Sequence, residues 1–168
     1  EHCTMFLRKK IEKARARGGG EDEPAARLGF RLASAFFTQE RFGEAEEWLV
    51  DSRRICLSLY GENHMTELSS TPMLGECYRQ QGRLEEALRT HKQELRVCRL
   101  LLGADDLAVA SALNNIAEVL RLQKKFDRSV KKYHKALQIF ERAPPGNESP
   151  VTKVLFNLSL ALQSLGRH

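Results

Sequence analysis

The sequence predicts an all-α solenoid of antiparallel helix pairs, about eight helices in all, and three observations carry that prediction. The chain matches itself at an offset of 42 residues without insertion: Gln39, Gln81 and Gln123 coincide, as do the small residues Ala33, Gly75, Ala117 and Ser159. Within each unit apolar residues recur at three and four, the spacing of one helix face rather than of a strand. Only Gln123-Lys124-Lys125 separates two such faces in the third unit, so the paired helices must run antiparallel.

Residues 1–17 read as the second helix of a preceding unit. Cys3, Phe6 and Leu7 fall where Ala45, Trp48 and Leu49 fall one unit later, and Gly19 matches Gly61. Residues 18–24 form a Gly/acidic connection, 25–61 a first repeat, 62–103 a second, 104–146 a third, and 147–168 the first helix of a fourth. Each first helix places Phe36, Tyr78, Leu120 or Leu162 three residues after the small position. The small residue lets two backbones cross closely, and the larger one fills the adjacent groove. Second helices follow from Phe42, Leu84 and Phe126. In the third unit Leu113, Ile116, Ala117 and Leu120 line one face of the first helix, and Phe126, Val130, Tyr133, Leu137 and Phe140 line the second.

Helix ends follow from local chemistry. Asp105 or Asp106 caps the helix through Leu113, and Ser149-Pro150 supplies an N-cap and a first helical proline. Gly61 and Gly103 suit the left-handed residue that ends a helix. Pro72 removes a hydrogen bond, so a shortened or bent helix is expected there, capped late by Ser70 or Thr71. His91 and His134 sit at apolar-periodic places of second helices, where ordinary packing is expected, and Trp48 is expected in inter-repeat core. The chain lacks an initial Met and its last pattern breaks off midway, so it reads as a window cut from a longer polypeptide.

Composition narrows the function classes. The hydrophobic content of 42% supports a packed core, and no run approaches the roughly 18 apolar residues of a membrane span. Of the net charge of +5, residues 1–20 supply Arg8, Lys9, Lys10, Lys13, Arg15 and Arg17 against Glu1 and Glu12. The remaining 21 basic and 20 acidic residues nearly cancel, which argues against a nucleic-acid surface spread over the fold. Cys3, Cys56, Cys77 and Cys98 lack metal-ligand spacing and suit reduced, packed thiols. Gly18-Gly19-Gly20 runs into Glu21-Asp22-Glu23, which would repel a phosphate. No catalytic residue, cofactor site or metal site is expected in this chain.

The run QGRLEEAL at 81–88, with Leu74-Gly75 and Tyr78 before it, resembles the tetratricopeptide repeat. The 42-residue spacing and LLGADDLAVASALNNIAEVL at 101–120 are similar to the long repeats of kinesin light chains. Departures are His64-Met65 and Asp106-Leu107, where that subclass usually has His-Pro, and the irregular Ala143-Pro144-Pro145-Gly146. The resemblance implies a right-handed superhelix whose first helices line a concave groove for an extended peptide. Carried onto this sequence, the groove places hold Ser111, Asn114, Asn115, Glu118 and Arg121 in the third unit, and Ser69, Met73, Glu76 and Arg79 in the second. The fourth unit offers Lys153, Phe156, Asn157 and Gln163, the first Arg27, Phe30, Arg31, Ser34 and Phe37. Asparagine there can give and take one hydrogen bond each with a ligand backbone. A simpler use of Arg79 and Arg121 is pairing with Glu76 and Glu118. The family's carboxylate clamp is incomplete: Asn115 and Lys153 fit, but Pro72 and Glu76 stand where Lys and Asn belong.

The resulting expectation is a protein-binding domain of a larger adaptor, with other proteins as partners, no membrane and no nucleic acid. The alternative is a structural scaffold in a cytoskeletal or ciliary assembly, contacting neighbours through outer helix faces. Either places it in the cytoplasm. The basic residues 8 to 17 form a further candidate contact for an acidic partner.

Overall fold

A computed structural model describes residues 23–143 and 148–166. Among the described residues there are seven helices and no strand: α1 (Glu23–Phe37), α2 (Phe42–Tyr60), α3 (Glu67–Gln80), α4 (Leu84–Leu102), α5 (Leu107–Leu122), α6 (Phe126–Arg142) and α7 (Glu148–Ser164). The helix expected before Arg17, with the basic residues Arg8 to Arg17, lies outside the described residues. Two compact units divide the chain, Glu1–Arg83 and Leu84–His168. No helix among the described residues is long and apolar enough to cross a membrane.

In the first unit α1 and α2 pack antiparallel. The start of α1 meets the end of α2, where Tyr60 Oη donates to Glu23 Oε2 at 2.7 Å, and buried Ser52 Oγ donates to the Ala26 carbonyl at 2.6 Å. Leu32, Ala33, Phe36, Ala45, Leu49, Leu74 and Cys77 form one core from α1, α2 and α3, with Trp48 half-buried against it. In the second unit Ser129 Oγ donates to the Ala117 carbonyl at 2.7 Å, and Arg142 at the end of α6 reaches Asp105 before α5. Leu113, Ile116, Ala117 and Leu120 are all buried, with Val130, Tyr133, Leu137 and Phe140 opposite on α6. Ser159, aligned with the small residues, is instead exposed on α7.

The repeated glutamine marks a repeated turn. The amides of Arg41, Arg83 and Lys125 donate to the carbonyls of Phe36, Tyr78 and Leu120 at 3.0, 2.9 and 2.9 Å, a bond that closes the preceding helix and reverses the chain. Each basic side chain reaches back to Gln39, Gln81 or Gln123, and the two guanidinium groups lie 4.5 and 4.4 Å over the Phe36 and Tyr78 rings. Gln81 and Arg83 also hold Glu46 of α2, and Gln123 holds Glu85 of α4. The residue between glutamine and base is left-handed each time: Glu40 at φ 58°, Gly82 at 75° and Lys124 at 60°. Only glycine adopts this backbone without a Cβ clash. Lys124→Gly should therefore raise stability by about 0.5–1 kcal/mol in urea unfolding; a loss of stability would contradict this account of the turn.

Three local expectations are corrected. The third helix begins at Glu67, not at Pro72. The Glu67 carboxylate accepts the Asn63 N–H at 2.6 Å and faces Arg53 at 3.5 Å, so the helix is nucleated a turn before the proline. The last helix begins at Glu148, before Ser149. His134 is exposed, because Tyr133 beside it takes the inward position. His91 is buried and bonded to Glu94 at 2.7 Å, and Asp106 caps α5 by accepting from the Ala108 N–H at 2.8 Å.

Candidate functional site

In the second unit, Ser111, Asn114 and Asn115 of α5, Phe140 of α6, and Pro150, Lys153 and Val154 of α7 surround one concavity of about 320 Å³. Four of the expected groove residues, Ser111, Asn114, Asn115 and Lys153, thus meet in one place. Ser111 and Lys153 are exposed at its rim and Asn115 is half-buried. Their spacing explains the meeting: Ser111 and Lys153 hold the same repeat position, one repeat apart, on consecutive first helices.

Asn114, at the base of the concavity, is bonded to Asn157. Both are buried, and Asn157 Nδ2 donates to Asn114 Oδ1 at 3.3 Å. The expected pair of ligand-reading amides is a bond that ties α7 to α5. Glu118 and Arg121 follow along α5, both half-buried. In the first unit Arg79 Nε donates to Glu76 Oε2 at 2.7 Å, and Gln80 donates to the other oxygen at 2.8 Å. That glutamate is committed on its own helix, as the simpler reading of Arg79 has it.

A second concavity, of about 580 Å³, lies in the first unit. Its lining residues Arg27, Phe30, Cys56, Thr66, Ser69 and Ser70 correspond, two repeats earlier, to Ser111, Asn114, Phe140, Pro150, Lys153 and Val154. The repeat therefore builds the same hollow twice and lines it differently. It is mainly apolar, with Phe30 on the wall, in the first unit, and is lined by amides and a cation in the second. Counting along the first helices alone misses Phe140, Pro150 and Val154. These come from the end of the second helix and the start of the next first helix, and the 42-residue register was the signal that could have located them.

Among the described residues no three His, Cys, Asp or Glu side chains gather as metal ligands. Burial, then Glu46 and Glu76, push the Cys77 thiol up to about 12, and burial, then Glu94 and Asp106, push Cys98 up to about 11. Tyr133 is raised to about 12, by burial first and Glu118 second. Each group is held neutral in the fold but ionises near its ordinary value when unfolded. Their contribution to stability is complete below about pH 9 and is lost as pH rises toward 11–12. Stability measured from pH 8 to 11 should fall, and Cys77→Ala should make the fall shallower; an unchanged slope would contradict the thiol's part.

The tetratricopeptide repeat family model matches residues 24–100, 67–142 and 108–168. A search of curated proteins finds no match. Solved structures of similar fold include BtubC (BKLC) from P. vanneervenii, at 19% identity and a TM-score of 0.85 over 96% of this chain and 65% of that one. This chain thus spans just under two thirds of BtubC. The nearly identical TPR-like repeats of a Podosopora anserina protein named as a kinesin light chain align at 16% identity and a TM-score of 0.81, over 98% of this chain and 78% of that one. A variant of the same repeats aligns at 17% identity and a TM-score of 0.82, with the same coverage. The overlapping matches run through every described helix, and with the 42-residue turn and core pattern they make this chain a member of the tetratricopeptide repeat family.

Proposed function

We propose that the chain is the protein-binding part of a larger adaptor and that its first-helix faces hold an extended partner segment. Repeats of this family are in general protein-interaction modules, which supports binding over catalysis. The observation that favours this site most is the hollow between α5 and α7, where Ser111, Asn115 and Lys153 meet over Phe140 and Val154. The Asn115 amide can bond a passing backbone, Lys153 can meet a carboxylate, and the apolar floor can take one side chain. Glu118 and Arg121 extend the α5 face and adjust charge preference. Asn114 and Asn157 hold the walls in register. A cytoplasmic, cytoskeleton-linked setting is part of the proposal and is suggested by the kinesin light chain-like fold.

A displayed library of random peptides selected on the full chain tests it. Asn115→Ala with Lys153→Glu should weaken the selected peptides at least about tenfold, roughly the loss of one charge-assisted contact and one hydrogen bond. The far-UV helix signal should be unchanged. Undiminished affinity in that variant would sink the groove reading.

A further inference from the structure

Beyond residue 20 the charge is unevenly divided along the chain. Residues 21–83 hold 7 basic and 11 acidic residues, whereas residues 84–168 hold 14 basic and 9 acidic. The near-neutrality of everything beyond residue 20 is therefore a cancellation of opposite imbalances. Within the second unit the surplus is on α4, with Arg89, Lys92, Arg96 and Arg99, and on α6, with Arg128, Lys131, Lys132, Lys135 and Arg142. Five acids on these helices, Glu85, Glu86, Glu94, Asp127 and Glu141, stand against these nine cations; Glu94 is buried against His91, and Glu85 is held by Gln123.

Five of these cations lie on two helices, α4 and α6, that both pack against α5. Lys92 and Arg99 are seven residues apart on α4, and Arg128, Lys132 and Lys135 follow at four and three on α6, so each set lies on one helix face. Half-buried Lys132 joins the sets. Its ammonium is pushed below the ordinary lysine value first by burial, then by Lys135, Arg99, Arg128 and Lys92. The other four side chains are exposed. None of the five has a carboxylate partner among the described residues. Like charges gathered without counter-charges repel and lower stability, and an anionic partner relieves that repulsion.

We infer that the α4–α6 face centred on Lys132 is a docking surface for an acidic polypeptide segment. Seven residues of helix cover about 10 Å, which matches a few carboxylates on alternate residues of an extended chain at roughly 6.6 Å intervals. The aromatic residues next to the stripe do not offer a platform for bases: Tyr133 and Phe140 are buried. The groove proposed above is built from α5, α7 and the end of α6, so this surface uses different side chains and stands or falls separately.

The test uses the full chain, fluorescein-labelled octaglutamate and a carbodiimide that couples carboxylates to lysine amines, with coupled lysines mapped by mass spectrometry. Coupling should concentrate on Lys92, Lys132 and Lys135. Lys132→Glu with Lys135→Glu should weaken octaglutamate binding about tenfold at low salt. Arg54→Glu with Arg142→Glu, the same change in net charge at two exposed and paired arginines, should weaken it less than about twofold. The melting temperature of the lysine variant should rise, because repulsion is removed, so weaker binding there cannot be attributed to misfolding. Coupling centred on Lys9, Lys10 and Lys13 or spread evenly, equal losses in the two variants, or stripe-dependent binding of an oligothymidylate or a phosphatidylserine vesicle in preference to the peptide would overturn the inference.

Discussion

Replacing Phe36 by alanine should cost about 3–5 kcal/mol, the largest single-residue effect expected in the first unit. The ring is 1% exposed and lies in the core that joins α1, α2 and α3. Around it are Ala33, Ala45, Leu49, Leu74 and Cys77, all buried, so relaxation cannot readily close the cavity. The Arg41 guanidinium over the ring would also lose its partner. Trp48, the chain's single tryptophan, is half-buried on the same cluster and reports on this unit by fluorescence. A urea midpoint that moves by less than the equivalent of about 1 kcal/mol would contradict the placement of Phe36 at the centre of this core.

Asn114→Leu is the second large effect. It keeps the branched heavy-atom skeleton but leaves the buried Asn157 amide without the oxygen it donates to, which should cost about 1–3 kcal/mol. Asn157→Leu should do the same from the other side. Replacing both together should recover most of the loss, because two apolar groups of similar shape need no hydrogen bond. Thermal or urea unfolding of the two single variants and the double variant measures this directly. If the two losses simply add, the two asparagines are independent and are not the tie between α7 and α5.

What could be read beforehand follows from what repeats. The 42-residue self-match located Ala33, Gly75 and Ala117 at buried crossings, because three copies of one packing solution leave three copies of one pattern. It also located Gln39, Gln81 and Gln123, although it could not say that these side chains accept from the base two residues on. Features that occur once were hidden. Glu67 starts α3 ahead of Pro72 with the Asn63 N–H and Arg53 of the neighbouring helix against its buried carboxylate, and those contacts are a product of folding. Asn114 and Asn157 look like groove residues from their phase on the helix, since phase gives direction but not the partner that covers a side chain. The stripe around Lys132 was concealed by averaging: residues on two helices had to be brought together before their common sign became visible.

The proposed groove requires a partner segment against the first helices of the second unit. A photo-crosslinking amino acid placed at Ser111, in the full-length protein within cells, tests it most directly. Ser111 is exposed at the rim of the hollow, and Val50, 47% exposed on the second helix α2, is the comparison site. The same partner peptide should be captured from Ser111, be lost when Asn115→Ala and Lys153→Glu are added, and not be captured from Val50. Capture from Val50 but not from Ser111 would contradict it and would place the interaction on the second-helix faces.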